Sequence, residues 1–321
     1  MRRSTAGLIL VVVLAFASRT LADEYPSRSI RFLQGFAPGG NADIISRIVG
    51  EELQQGLGQT IVYESRPGAA GNIASEAVVR SEPDGYTLLL LTTGHPISAA
   101  LYKSLKFDPV KDFTFISTVT RVPYFFVVNA NSRFATMVEL VKEARTKPQA
   151  VTFGTAGVGT GQHLTGELTA SAVGAKMLHV PFRGDSGAVT ALLSESVDLV
   201  IAPGTAIFGN LAAGKFRALG VSGRQRWQPL PDVPTIAETV APGFEVMGWI
   251  GVATVRGVPK PIVDRLNAQV RRIVALPTVQ KKLLDIGNIP QSSTSEEFTT
   301  LVAADIARFG GVIEKAGIPR Q

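Results

Sequence analysis

Three glycine-rich segments stand where this chain can bind without a reactive side chain: Phe36–Gly40, Gly68–Asn72 and Gly154–Gly161 (GTAGVGTG). Each joins a strand-like run to a helical one. Such a junction presents backbone N–H groups that the helix leaves unpaired, and the helix dipole favours negative charge there. Several junctions meeting at the carboxyl end of a sheet would hold a carboxylate without Arg or Lys. One exposed helix end contributes about 0.3–1 kcal/mol. A direct hydrogen bond to an anion adds about 1.5–3 kcal/mol, so a micromolar affinity of about −8 kcal/mol is within reach.

Other chemistries fit less well. Gly154–Gly161 has the glycines of a phosphate loop, but Thr160 stands where that loop needs Lys. It is a poor dinucleotide fingerprint too, because it lies mid-chain and no acid ends a strand about 20 residues further on. Gly184-Asp185-Ser186-Gly187 matches the nucleophile motif of trypsin-like proteases. Those are all-β barrels, whereas this chain alternates strand and helix, and a triad also needs His and an orienting Asp. The three histidines are His95, His163 and His179. No two have metal-ligand spacing and no acid joins them, so no metal is expected. His163, in the first turn after the glycine loop, is either a donor to a ligand or a local helix-start residue. His95 sits at a strand's carboxyl end, and His179 reads as structural. The absence of Cys excludes thiol catalysis, iron–sulfur clusters and a disulfide framework. No enzymatic activity and no cofactor are expected.

The elements that must position these loops come next. The 321 residues suffice for roughly two domains. Met1–Ala22 reads as a leader: Arg2 and Arg3, an apolar run Leu8–Ala17, then a small-residue exit with cleavage after Ala17 or Ala22. Ten apolar residues span about 15 Å as helix, roughly half a bilayer core. The leader takes Arg2, Arg3 and Arg19 with it and no acid, so half of the formal +6 charge leaves. The remaining basic residues are scattered among acids, without aromatic interleaving, and nucleic acid is not an expected partner.

After the leader, Ile30–Gln34 reads as a strand. Ile44, Ile45, Ile48, Val49 and Leu53 follow at helical spacing, with Asn41 as cap and Asp43 in the first turn. Ile61–Glu64, Tyr86–Leu91, Val122–Asn129, Val151–Phe153, Lys176–Val180, Asp198–Ala202 and Arg217–Ser222 read as further strands. Asn72–Arg80 and segments starting near Gln162 and Pro261 read as helices. Thr136–Glu139 and Thr294–Glu297 fit capping boxes. Alternating strand and helix implies α/β layers with mainly parallel sheet.

An ordered set of motifs carries a family resemblance. Tyr25-Pro26-Ser27-Arg28-Ser29-Ile30-Arg31, Phe36-Ala37-Pro38-Gly39-Gly40 with Asp43, and Glu64-Ser65-Arg66-Pro67-Gly68 begin it. Pro83-Asp84-Gly85-Tyr86, Phe107-Asp108-Pro109, Gly154–Thr160 with His163, His179-Val180-Pro181-Phe182-Arg183-Gly184, Leu230–Thr235 and Pro242–Glu245 with Trp249 continue it. Together they resemble the Bug family, the periplasmic substrate-binding proteins of tripartite tricarboxylate transporters, over essentially the whole mature chain.

The resemblance implies a two-domain type II Venus flytrap with mixed, mainly parallel sheets. Residues 23–122 plus 249–321 would form domain 1, and 123–248 domain 2. A small carboxylate would lie between them, bound by a monomer in the periplasm and handed to the membrane permease. One domain 1 wall would be Phe36, Pro38, Gly39 and Gly40 with Asp43; Gly71, Asn72 and Ile73 would extend it. Ala156, Gly157, Gly159, Thr160 and His163 would form the domain 2 wall. Thr93, His95, Phe182, Ala202 and Gly204 would tune which ligand fits. Gln34-Gly35, Ala69-Ala70 and Thr92–His95 depart from the family's usual pattern at the expected pocket edges, so citrate is not the assumed ligand. A sensing protein of the same fold and an interdomain-cleft hydrolase are the alternatives.

Overall fold

The computed structural model describes residues 25–315 and 317–320. The leader read at Met1–Ala22 lies outside the described residues. The chain runs β1 (Ile30–Gln34), α1 (Asn41–Leu57), β2 (Ile61–Ser65), a 3-10 turn (Ala69–Gly71), α2 (Asn72–Val79), β3 (Thr87–Thr92), α3 (Gly94–Leu101) and β4 (Phe113–Pro123). It continues through β5 (Phe125–Asn129), α4 (Met137–Thr146), β6 (Thr152–Thr155), α5 (Gly161–Ala172), β7 (Leu178–Pro181), α6 (Asp185–Leu193), β8 (Leu199–Ala202), α7 (Gly204–Ala212), β9 (Phe216–Val221) and α8 (Ile236–Thr239). It ends with β10 (Met247–Val255), α9 (Lys260–Ala275), α10 (Pro277–Asp285), β11 (Ile289–Pro290) and α11 (Ser295–Lys315).

Two mixed sheets result, ordered β11-β4-β10-β3-β1-β2 and β7-β6-β8-β5-β9. Each has a parallel triplet, β2-β1-β3 and β7-β6-β8, flanked by antiparallel strands. β1, β3 and β8, inside the sheets, read as near-continuous apolar runs because they are covered on both faces, with Ile30, Phe32 and Leu33 of β1 fully buried, whereas the edge strands β2 and β7 are partly exposed. α9 shows the complementary pattern. Ile262, Val263, Leu266, Val270, Ile273 and Val274 are buried along one stripe while the intervening charged residues face solvent. Lys260 is its first residue and Pro261 its second, a position where the missing N–H costs nothing.

The chain passes between the lobes twice, side by side. β4 pairs through Pro123 in the first sheet and β5 starts at Phe125 in the second, so Tyr124 alone separates them. The segment read as one strand, Val122–Asn129, is therefore two strands in two sheets. Ser222, fully buried, stitches the passages together: it accepts the Tyr124 N–H at 2.9 Å and its hydroxyl donates to the Val246 carbonyl at 2.6 Å. A third contact joins the lobes away from these strands. Leu164 of α5 packs in an apolar cluster with Ile97 and Leu101 of α3 and with Phe309 and Ile313 of α11. Among the described residues, no helix is long and apolar enough to cross a membrane.

Candidate functional site

The carboxyl ends of the parallel triplets face each other across the lobes, so the strand-to-helix loops form opposite walls of one cleft. Its inner part is a cavity of about 50 Å³, room for roughly three or four waters or one small functional group. Phe36, Asn41, Ala42 and Thr92 line it from one side, and Ala156, Thr160, Gly161, Gln162, Asp185 and Pro203 from the other. Tyr124 and Trp249, at the crossover, also line it. An outer chamber of about 660 Å³ shares Phe36 and Ala156 with the cavity and is walled by Gly35–Ala37, Pro67–Ala70, Tyr102, Ala156–Val158 and Pro181–Gly184. That size suits a small organic molecule.

Helix starts dominate these walls. α1, α6 and α7 begin at Gly40, Gly184 and Pro203, none of which caps its helix with a side chain. Their first-turn N–H groups therefore take other partners: the Asn41 N–H donates to Asp185 at 3.2 Å and the Ala206 N–H to the Pro203 carbonyl at 3.1 Å. α5 differs: Thr160 is its N-cap, and the Thr160 hydroxyl accepts the His163 N–H at 3.2 Å. Gly161 then follows with no side chain because the Tyr124 hydroxyl fills the place a Cβ would take.

A polar network crosses the cleft. The Asp185 carboxylate accepts the side-chain N–H of Gln162 at 2.7 Å and the backbone N–H of Asn41, in the opposite lobe, at 3.2 Å. Gln162 is itself fixed, since its carbonyl oxygen accepts the Ala156 N–H at 2.7 Å. Asn41, read as the cap of α1, does other work. Gly40 holds the cap position, and the Asn41 side-chain oxygen accepts from Thr205 Oγ1 and Asn288 Nδ2, each at 3.1 Å. Asn41 is driven into this role because α1 starts against the other lobe, where a local cap would leave those donors unpaired. Burial raises the Asp185 pKa, and the Gln162 and Asn41 donors oppose that rise. Burial and then the Asp185 charge raise the Tyr124 hydroxyl.

The histidines stabilise the walls. His163 accepts the Gly159 N–H on Nδ1 at 3.4 Å and stacks on His179 with ring centroids 4.1 Å apart. His179 Nε2 and Thr155 Oγ1 are 2.7 Å apart. His163 thus holds the glycine loop from behind. Burial lowers its pKa to about 4; burial and then the His163 charge lower His179 to about 3. His95 does not reach the cleft, contrary to the expectation above. Its Nε2 lies 2.7 Å from the Pro109 carbonyl, and its ring packs against Phe107 and Phe113. The cause is α3, whose first turn carries the His95 side chain into the core of the first lobe.

The remaining expected residues divide. Phe36, Ala156 and Thr160 line the inner cavity, and Phe36, Ala156, Gly157 and Phe182 the outer chamber. Gly40 comes close to Asp185, where an added Cβ would lie 3.2 Å from Oδ2. Gly159, in the left-handed region at φ 79°, faces Ala70 and Tyr102 across the cleft. Pro38, Gly39 and Asp43 line neither compartment: Pro38 and Gly39 are exposed, while the buried Asp43 carboxylate accepts the Gly39 N–H at 3.0 Å and so shapes the loop. Gly71 packs on Gly35, Asn72 is buried, and Ile73 is 48% exposed, outside both compartments. Thr93 is turned to the crossover, accepting the Trp249 N–H at 2.6 Å. Pro203, between Ala202 and Gly204, is the one of the three that lines the cavity, while Gly204 packs on Gly287 of the other lobe. Gln162, Asp185 and Tyr124 line the inner cavity beyond the expected residues, and Asn288 supports it through Asn41. Only Asp185 carried a signal, through the Gly184–Gly187 motif. Among the described residues, the Ser186 hydroxyl of that motif has no hydrogen-bonded imidazole. Among the described residues, no group of three or more His, Cys, Asp or Glu side chains is placed to hold a metal ion.

Comparison with known proteins gives a consistent picture. Residues 45–318 match the family described as tripartite tricarboxylate transporter family receptor. The chain is 36% identical over 313 residues to the UPF0065 protein in the tcbD-tcbE intergenic region of Pseudomonas sp. (strain P51), covering 97% of this chain and 93% of that protein. It is similar to the structure of R. palustris Rpa4515 with adipate (TM-score 0.89, 32% identity, 92% of this chain and 99% of that one). It is also similar to the periplasmic binding protein BugD (TM-score 0.87, 30% identity, 92% of this chain and 100% of that one).

Proposed function

The chain belongs to the tripartite tricarboxylate transporter receptor family, Bug proteins included, and has its two-lobed periplasmic binding protein fold; from this premise we propose a non-catalytic periplasmic protein that captures one small carboxylate and delivers it to the permease of such a transporter. Residues 23–122 with 249–321 act as one domain and 123–248 as the other, hinged at the two strands joined by Ser222. The leader at Met1–Ala22 exports the chain and is cleaved. The protein works as a monomer and undergoes hinge closure around its ligand.

The observation that carries this reading is one cleft between two lobes with strand-to-helix loops for walls, Gly35–Ala37 and Pro67–Ala70 on one side and Ala156–Val158 and Pro181–Gly184 on the other. Backbone N–H groups there are rigid donors, and the helix dipoles add to them. The ligand carboxylate rests in the outer chamber against the Phe36–Ala37 and Ala156–Val158 loops, beside Arg183. Phe182 and Tyr102 cover the ligand's apolar part. No covalent step is involved.

A thermal-shift screen of monocarboxylates, dicarboxylates, hydroxy acids and amino acids tests the reading. A ligand at 100 times its Kd adds about 2.7 kcal/mol of stability, and a rise of several degrees is expected for at least one acid. The corresponding amide should give none. Equal stabilisation by acid and amide, or by no acid at all, refutes the proposal.

A further inference from the structure

The two compartments of the cleft differ in charge. Asp185 is the one Asp, Glu, Lys or Arg that lines the inner cavity, and Arg183, two residues earlier, is the one that lines the outer chamber. The Asp185 carboxylate is locked in place by donors from both lobes, Gln162 Nε2 at 2.7 Å and the Asn41 N–H at 3.2 Å. The Asn41 amide is the first N–H of α1, and Gln162 lies in the first turn of α5. The protein thus places its own carboxylate against the first N–H of α1 and the Gln162 side chain, and fills the place at the α1 N-terminus that would otherwise attract an anion from the ligand. Gly40 has no side chain at this point, which lets α1 approach Asp185 closely.

The geometry points to Asp185 as the residue that sets the ligand class: the ligand carries a single carboxylate, held in the outer chamber, and presents a hydrogen-bond donor, an amino or hydroxyl group, to the inner cavity. The inference rests on the carboxylate-capture reading above and narrows it. A second carboxylate entering the inner cavity would meet Asp185 at short range in a small cavity lined by no cationic side chain, where like charges repel strongly. It would also find the nearest donors already engaged. A donor group meets the opposite situation, since an ionised carboxylate accepts at several positions and Asp185 uses two. Arg183 outside and Asp185 inside orient such a ligand along the cleft.

Affinities of the purified mature protein for a length-matched series decide the matter: a dicarboxylate, the unsubstituted monocarboxylate, and the ω-amino and ω-hydroxy acids. Calorimetric titration is run on wild type, Asp185→Asn and Asp185→Ala, with thermal melts to verify folding. In wild type the amino or hydroxy acid should bind at least tenfold more tightly than the dicarboxylate, and the stronger of the two identifies the donor. Asp185→Asn should shift that ratio at least tenfold toward the dicarboxylate, and Asp185→Ala, which vacates the position, at least as far. A wild-type preference for the dicarboxylate, or a ratio unmoved in both variants while carboxylates still bind, overturns the role of Asp185 and leaves carboxylate capture standing. If no acid of any class binds wild type, carboxylate capture fails and this inference with it.

Discussion

His95 makes the protein acid-sensitive in a calculable way. Its ring is buried against Phe107, Phe113 and Phe115. Nε2 lies 2.7 Å from the Pro109 carbonyl, while Nδ1 is buried with no partner. A proton on Nδ1 would be a buried charge without an acceptor, and burial lowers the pKa to about 4 against the opposing effect of the Pro109 carbonyl. The ordinary value in the unfolded chain is about 6.5. A base whose pKa falls on folding is protonated first in the unfolded state, so its stability is complete above pH 6.5, drains as pH falls, and levels off below about 4. Between pH 6.5 and 5 the loss is about 1.4 kcal/mol per pH unit, hence about 2 kcal/mol at pH 5. Replacing His95 by Phe removes the titration and also the hydrogen bond to Pro109, a cost of about 1 kcal/mol that is the same at every pH. Urea unfolding at pH 7.5 and 5.0 measures the difference directly. Wild type should lose about 2 kcal/mol more than His95→Phe on acidification, whatever the other carboxylates and histidines contribute, because those terms cancel. Equal losses in the two proteins refute the buried, uncompensated Nδ1 as the cause.

Two further predictions concern the cleft and its hinge. Gly161→Ala drives a methyl group into the Tyr124 hydroxyl, and overpacking of this kind costs about 1–3 kcal/mol. Ligand affinity should fall further than stability, since the displaced ring lines the inner cavity; parallel melts and calorimetry compare the two, and unchanged affinity would take Tyr124 out of the site. Ser222→Ala leaves the buried Tyr124 N–H without its acceptor and the Val246 carbonyl without its Ser222 donor. A loss of about 1–3 kcal/mol is expected by urea denaturation; a loss under about 0.5 kcal/mol would show that the stitch is dispensable.

Much of the α/β alternation is legible from sequence because the apolar residues of β1, β3 and α9 repeat at the spacing their burial demands. The glycine loops are legible at strand-to-helix junctions for the same reason. What escaped has definite causes. Val122–Asn129 is apolar on both sides of the lobe crossover, so periodicity cannot reveal that the chain changes sheet at Tyr124; Pro123 is the local sign. β4 and β10 are long central strands buried on both faces, and no alternation marks them. α3 carries Pro96 in its first turn, a position a helix tolerates but that reads as a breaker in sequence. Thr136 takes the expected cap bond from Glu139, yet the Glu139 carboxylate reaches back to Ala135 rather than to Thr136. The Thr235–Glu238 capping box, complete in the structure, opens a helix too short to show a pattern. In the site, Asp185 meets Asn41 across 144 residues of sequence. Nothing local to either residue forecasts that contact, which exists only once both sheets have formed.

The small apolar cluster joining Leu164 to α3 and α11 has a consequence for exchange. Any parting of the lobes along that face draws Leu164 out from between Ile97, Leu101, Phe309 and Ile313 and wets all of them. Opening is then a miniature unfolding event, with the same solvent sensitivities. Urea should ease it, excluded osmolytes should resist it, and cooling should loosen it as the hydrophobic contribution weakens. The residence time of whatever the cleft holds is thereby tied to the medium around the protein as much as to the contacts inside it.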